Sequence, residues 1–289
     1  MKILVIGGTG KVGLPLVRQL LEKGAEVSVV SRSSERASLI PASARQVVGD
    51  FIADPEALSH AFRGMDAVFM LNKASPVEAV EGTLAVRLAS EAGVRRFVYQ
   101  SAHLLDELAY LPHLAAKTAI RKAIALSGME HSFIAPNHFF QNDELVRRPL
   151  LNEDLYLTPL GPVGCWNVDV RDIADAAAAV LLSDGHEGRT YNVVGPCVLT
   201  SEDAAACWTQ ALGREVRYGG IDQWREFTRP FMPAWLHYDL SLMYEDFGRR
   251  GMLGKPEDVE RLTELIGRQP RSYDDYVVEQ AGRWNASAV

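Results

Sequence analysis

Residues 1 to 21 read MKILVIGGTGKVGLPLVRQLL, and this stretch decides the fold. Ile3 to Ile6 is an unbroken apolar run, as expected of a parallel strand covered on both faces. Glycines follow at once, and then Leu14, Val17, Leu20 and Leu21 recur at the spacing of one helix face. Gly7, Gly10 and Gly13 form a GxxGxxG pattern in this first strand-to-helix turn. A side chain at the early glycines would block a pyrophosphate, whose charge the exposed amides and dipole of the helix N-terminus attract. Three glycines in a turn are a weak signal alone; between a first strand and a helix they point to a dinucleotide. The expected contacts are Gly7, Thr9, Gly10, Lys11, Val12 and Gly13, against the plainer reading of a glycine-rich turn with no ligand.

Outward from this turn, apolar runs at Glu26 to Ser31, Gln46 to Val48, Ala67 to Leu71, Arg96 to Gln100 and His131 to Ala135 alternate with helix-length segments. The helices are expected at about 11–23, 55–62, 78–92 and 114–127. Such alternation predicts an α/β fold, a Rossmann-type doubly wound parallel sheet. After Asn142 the rhythm breaks into Pro- and Gly-rich loops, an alanine-rich helix from Ile173 to Leu182 and a returning strand near 190–194. The rest is mostly helical, and Thr200 with Asp203 reads as a capping box. The division expected is a dinucleotide-binding domain over 1–150 and a smaller, mostly helical substrate lobe over 151–289.

Composition narrows the function. The 289 residues carry 30 Lys+Arg against 37 Asp+Glu, a net −7, and the three adjacent arginine pairs are scattered, which argues against direct nucleic-acid binding. Cys165, Cys197 and Cys207 form no CxxC pair and are expected to be plain buried thiols, with no metal site. No stretch approaches the roughly 18 to 20 apolar residues of a membrane span, and the apolar start is too brief for a signal peptide. The expectation is a cytoplasmic protein with no membrane partner.

At the end of the second strand stand Ser31, Arg32, Ser33 and Ser34. A carboxylate there suits the ribose 2'-hydroxyl of NAD, whereas an arginine with neighbouring hydroxyls suits a 2'-phosphate, so NADP(H) is the expected cofactor. A solvated loop arginine is the alternative. Asp50 and Phe51 follow the third strand and Asn72 and Lys73 the fourth, where contact with adenine or ribose competes with simple turn-capping.

The glycine loop, Arg32, Gly49 and Asp50, the segment Gly93 to Tyr99, Val168 to Ala174, and Gly188 to Pro196 together resemble the NmrA-like branch of the atypical short-chain dehydrogenase/reductases over nearly the whole chain. That branch includes quinone and isoflavone reductases and a redox-sensing co-regulator. The resemblance implies a Ser at the end of strand five and, on the next helix, a Tyr four residues before a Lys. Here these slots hold Ser101, His113 and Lys117, so the tyrosine is a histidine. Residues four apart share a helix face, so Lys117 and His113 could serve an acceptor oxygen as oxyanion stabiliser and proton source. His103 and Tyr110 are alternative donors. The resemblance also puts Pro136 beside the nicotinamide and Asn137, His138 and Phe139 along the substrate pocket; Phe140 reads as core.

Asp172 is expected to cap the alanine-rich helix rather than to catalyse. The aromatics Trp224, Phe227, Phe231, Trp235, Tyr238, Tyr244 and Phe247 suit a substrate wall or lobe core. The leading expectation is an NADPH-dependent oxidoreductase passing hydride to a small hydrophobic or aromatic quinone, enone, carbonyl or imine. The alternatives are a non-catalytic redox sensor of a protein partner and an epimerase or isomerase using the dinucleotide transiently. A homodimer is compatible with the sequence but not specified by it.

Overall fold

The computed structural model describes residues 1–286. Among these residues nine strands and eleven α-helices follow one another, strand and helix alternating in most of the chain. In order they are β1 (Lys2–Ile6), α1 (Gly13–Glu22), β2 (Glu26–Ser31), β3 (Arg45–Val48), α2 (Pro55–Phe62), β4 (Ala67–Met70), α3 (Glu78–Glu91), β5 (Arg96–Gln100), α4 (Pro112–Ala125) and β6 (Glu130–Pro136). Then follow α5 (Arg147–Asn152), β7 (Leu155–Tyr156), α6 (Val170–Leu182), β8 (Thr190–Val193), α7 (Ser201–Leu212), β9 (Arg217–Tyr218), α8 (Gly220–Thr228), α9 (Ala234–Arg250), α10 (Pro256–Ile266) and α11 (Tyr273–Ala286).

The main sheet has the order β3-β2-β1-β4-β5-β6-β8, and its pairings from β3 across to β6 are parallel. This is the doubly wound Rossmann-type sheet. Its central strands are buried because helices cover both faces: β4 and β5 are buried at every position, and β1 at every position after Lys2. The strand order reverses at β1, where Ile6 lies level with Val30 of β2 and Met70 of β4. Ligands of open α/β sheets bind beyond the strand C-termini at such a switch point. The glycine turn leaves β1 there.

The chain forms two compact units, Met1–Pro136 with Arg171–Asn192, and Asn137–Val170 with Val193–Val289. It therefore passes between units at three points, where the sequence reading set a single boundary after 150. In the first unit one core cluster packs the sheet residues Leu4, Val68, Phe97 and Tyr99 under α2, α3 and α4. Gln19 of α1 donates to Asp175 of α6. In the second, β7 and β9 form a two-stranded parallel sheet that sequence reading did not find. Strands of two residues give no periodicity to detect. The capping box at Thr200 is present, its hydroxyl accepting from Asp203 N at 3.1 Å while the Asp203 carboxylate accepts from Thr200 N at 3.0 Å.

Two expectations need correction. Helix α6 begins at Val170, so Asp172 lies inside its first turn instead of ahead of it. The Val170 amide is held instead by Gln141 Oε1 at 3.0 Å. Of the three cysteines only Cys165 is buried; Cys207 is half-buried, Cys197 is exposed, and all are free. No helix among the described residues is long and apolar enough to cross a membrane.

Candidate functional site

The turn after β1 is built by glycines for two separate reasons. Gly7 has φ +87, and a Cβ on it would stand 2.4 Å from Leu71 O. Gly13 opens α1 so close to the turn that its Cβ would meet Gly7 O at 2.2 Å and Gly8 Cα at 2.6 Å. Gly10 differs: the only atom near a Cβ there is Gly7 O at 3.3 Å, so its other side faces open space. Gly7, Thr9 and Gly10 line a cavity of about 510 Å3. Helix α1 has no side-chain N-cap and no acid in its first turn, leaving its amide end free of competing anions. Val12, by contrast, is core, and Lys11 is exposed. These glycines carry a prediction. Gly13→Ala should lower stability by about 1–3 kcal/mol, whereas Gly10→Ala should fold with a nearly unchanged melting temperature yet bind dinucleotide at least tenfold more weakly, about 1.4 kcal/mol. Calorimetry and thermal melts of both variants check it; equal melting losses would contradict the assignment.

The same cavity continues past Ser31, Arg32, Ser33 and Arg36 to Phe51 and Asn72. Ser31 and Ser33 shape the bend, Ser31 Oγ donating to Ser33 O at 2.9 Å. The Arg32 guanidinium is 60% exposed, with Nη1 4.0 Å from Glu81 Oε1 on α3. Phe51 is buried, tilted against Phe62. Asp50 is already used as a turn cap, its Oδ1 accepting from Ile52 N at 2.7 Å and Ala53 N at 3.2 Å. Asn72 is buried with Oδ1 unpartnered. Four more buried unpartnered side-chain atoms, Ser75 Oγ, Glu78 Oε2, Tyr99 OH and Gln100 Oε1, belong to the loop after β4, the start of α3 and the end of β5. Buried polar atoms are normally satisfied; of these residues Asn72 lines the cavity, where a polar ligand would satisfy its Oδ1. The residues fit a dinucleotide.

Lys117 lies in this unit. Its Nζ donates to Glu78 Oε1 at 2.7 Å and stands 5.9 Å from the Tyr99 ring centre. Glu78 is fully buried and Lys117 nearly so. Gly82, one turn after Glu78, makes the approach of α4 feasible, since a Cβ there would lie 2.4 Å from Ile120 Cδ1. Burial pushes the Glu78 carboxyl up, while Lys117 and then His113 pull it down. Helix α4 starts at Pro112, so His113 and Lys117 are both helical and four apart. Ser101 and His103 are buried at the end of β5, tied to β6 by Ser101 N donating to Ile134 O at 2.8 Å and His103 N to Pro136 O at 3.0 Å. Tyr110 is exposed.

Asn137, His138 and Phe139 belong to the second unit. Asn137 Nδ2 donates to Met252 O at 2.9 Å and its Oδ1 accepts from His138 N at 2.8 Å. His138 is buried, with Nε2 3.1 Å from Tyr244 OH and 2.9 Å from Asn142 Nδ2, and burial lowers its pKa to about 4, so the ring is neutral. Phe139 is half-buried. Trp224, Tyr244 and Phe247 are core, whereas Phe231 and Tyr238 are exposed.

The profile of the NmrA-like family matches residues 1–277. The chain belongs to the NmrA-like family. Among its relatives, an NAD(P)H azoreductase of Xenophilus azovorans is 28% identical over 290 residues, 99% of this chain and all of the relative. A (4-alkanoyl-5-oxo-2,5-dihydrofuran-3-yl)methyl phosphate reductase of Streptomyces griseus is 30% identical over 289 residues, 96% of this chain and 98% of the relative. The NADPH complex of the quinone oxidoreductase QOR2 of Escherichia coli superposes with a TM-score of 0.85 at 21% identity, covering 96% of this chain and 99% of that one, which shows the shared fold.

Within this NmrA-like chain, sequence reading passed over Glu78, Glu81 and Arg36. Acids in a first helical turn read as dipole partners. One signal was present for Glu78: with Gly82, Ala85, Val86 and Ala89 it continues the buried stripe of α3, so a carboxylate stood where an apolar residue was due. Glu81 has no such sign.

Proposed function

We propose that this chain is an NADPH-dependent reductase that delivers hydride to a small hydrophobic, conjugated or aromatic acceptor, a quinone, enone, carbonyl or imine. The observation that carries the reading is the ammonium of Lys117, fixed by a fully buried carboxylate in the same unit as the glycine cradle. Relatives of this length that are named as reductases support it. Bound in the cradle, the reduced dinucleotide supplies the hydride.

The chain's own residues supply the rest. Gly7 and Gly10 present backbone to a pyrophosphate, and Arg32 with Arg36 gives positive charge to a 2'-phosphate. An ammonium has three N–H donors, and Glu78 takes one, so Lys117 keeps two for ribose hydroxyls or for the oxygen that becomes negative as the acceptor is reduced. The ion pair also fixes the rotamer of a long side chain before the acceptor arrives, which lowers the reorganisation needed during reaction. His113, one turn away and half-buried, is the proposed proton source, returning its proton from water. Pro136, in the same unit as Lys117, is proposed beside the nicotinamide. A protein that only senses the dinucleotide has no need of this anchored ammonium.

The binding half of the proposal is tested with Arg32→Ala. The Kd for NADPH is expected to rise about 10- to 100-fold, the loss of charge-assisted hydrogen bonds worth roughly 1.5–3 kcal/mol, while that for NADH changes little. Equal changes for both dinucleotides would remove the assignment to the 2'-phosphate.

A further inference from the structure

The cavity wall around Arg32 holds an acid as well as bases. Glu81, in the first turn of α3, lines the cavity together with Arg32 and Arg36. Its carboxylate is only 13% exposed, whereas the guanidinium it faces at 4.0 Å is 60% exposed. The acid is therefore part of the wall and the base is the exposed partner. Desolvation raises the Glu81 carboxyl first, Arg32 opposes this, and Asp50 and Glu78 add to it, so the negative charge stays partly uncompensated.

The two dinucleotides differ only at the adenosine 2'-position, and each wants the opposite wall. A 2'-phosphate must share Arg32 with the Glu81 carboxylate and is repelled by it. A 2'-hydroxyl can donate to a carboxylate and needs no arginine. We propose that Glu81 is the specificity-determining residue of the adenosine pocket, weakening NADPH and supporting NADH so that the protein accepts both dinucleotides. The inference rests on the reading of this cavity as the dinucleotide site.

Calorimetric titration of the wild type and of Glu81→Gln with NADPH and with NADH tests it, with no turnover involved. The ratio Kd(NADH)/Kd(NADPH) is expected to rise about fivefold in the variant, the scale of a partly exposed ion pair, through tighter NADPH and weaker NADH. Adenosine 2',5'-bisphosphate and adenosine 5'-monophosphate, which carry only the adenosine end, should reproduce the shift, and Glu81→Ala should change the ratio in the same direction. A melt of each variant without ligand confirms folding. An unchanged ratio, or weaker NADPH binding in Glu81→Gln, would overturn the inference; the second result would mean that Glu81 holds Arg32 in place for the phosphate. Either leaves the dinucleotide site itself standing. A wild type that binds neither dinucleotide would overturn both.

Discussion

Replacing Lys117 by methionine is expected to cut acceptor-dependent NADPH oxidation about 100-fold, the usual scale for one donor to a developing oxyanion, with a much smaller change in NADPH Kd. Methionine keeps the length and apolar stem of lysine but donates nothing. The partner decides how the rest of the protein responds. Glu78 is fully buried and already pushed up by desolvation, so without Lys117 its carboxyl takes up a proton instead of standing charged and alone. Lys117→Met should therefore fold. Glu78→Gln frees the ammonium from its anchor and should lower turnover about tenfold by loss of positioning. The double variant should be no worse than Lys117→Met alone, because two residues acting as one unit are not additive. Independent, additive losses would show that the pair is structural only. Rate, Kd and melting temperature measured together separate these outcomes.

The second large effect lies in the other unit and concerns stability. Asp143 is buried, and among the described residues its carboxyl is held by hydroxyls and an indole N–H. Its carboxyl accepts from Tyr156 OH at 2.9 Å, Thr158 Oγ1 at 3.2 Å, Trp208 Nε1 at 3.2 Å and the Tyr273 hydroxyl. Burial outweighs these bonds and pushes its pKa from 3.8 up to about 6. A folded-state value raised above the unfolded one means the folded state holds the proton more tightly. The associated stability is complete below pH 3.8 and is lost as pH rises through about 6. The span amounts to about 3 kcal/mol at 1.36 kcal/mol per pH unit. Asp143→Asn carries no titrating group, so the stability of the variant relative to the wild type should improve by up to about 3 kcal/mol between pH 4 and pH 7.5. Urea unfolding at both pH values checks this. A difference between the two proteins that does not move with pH would show that the hydrogen bonds keep Asp143 an ordinary carboxylate.

Much of the first unit was legible from residue pattern. The strands at 2–6, 26–31 and 96–100 and the helix at 55–62 have the bounds expected of them, because apolar runs and helix-length periodicity are local signals. The start of α4 at Pro112 was missed by two residues because His113 breaks the apolar stripe, although proline at the first helical position marks such starts. What was not legible is pairing across the chain. Nothing local says that Glu78 meets Lys117, 39 residues away, or that Asp143 gathers Tyr156, Trp208 and Tyr273. Those partners are set by how α3 packs on α4 and by how the second unit folds around its buried carboxyl. The returning strand expected near 190–194 is β8, which joins the sheet beside β6, whereas the return of α6 to the first unit is set by packing and has no local sign.

The central claim is reduction, and the most direct measurement is NADPH oxidation by the purified protein across a panel of quinones, enones, aldehydes and cyclic imines. Multiple turnovers with at least one conjugated or aromatic acceptor, lost in Lys117→Met while NADPH still binds, are the predicted result. Tight dinucleotide binding with no turnover on any acceptor would contradict the account and assign the cradle to a protein that binds NADPH without reducing anything.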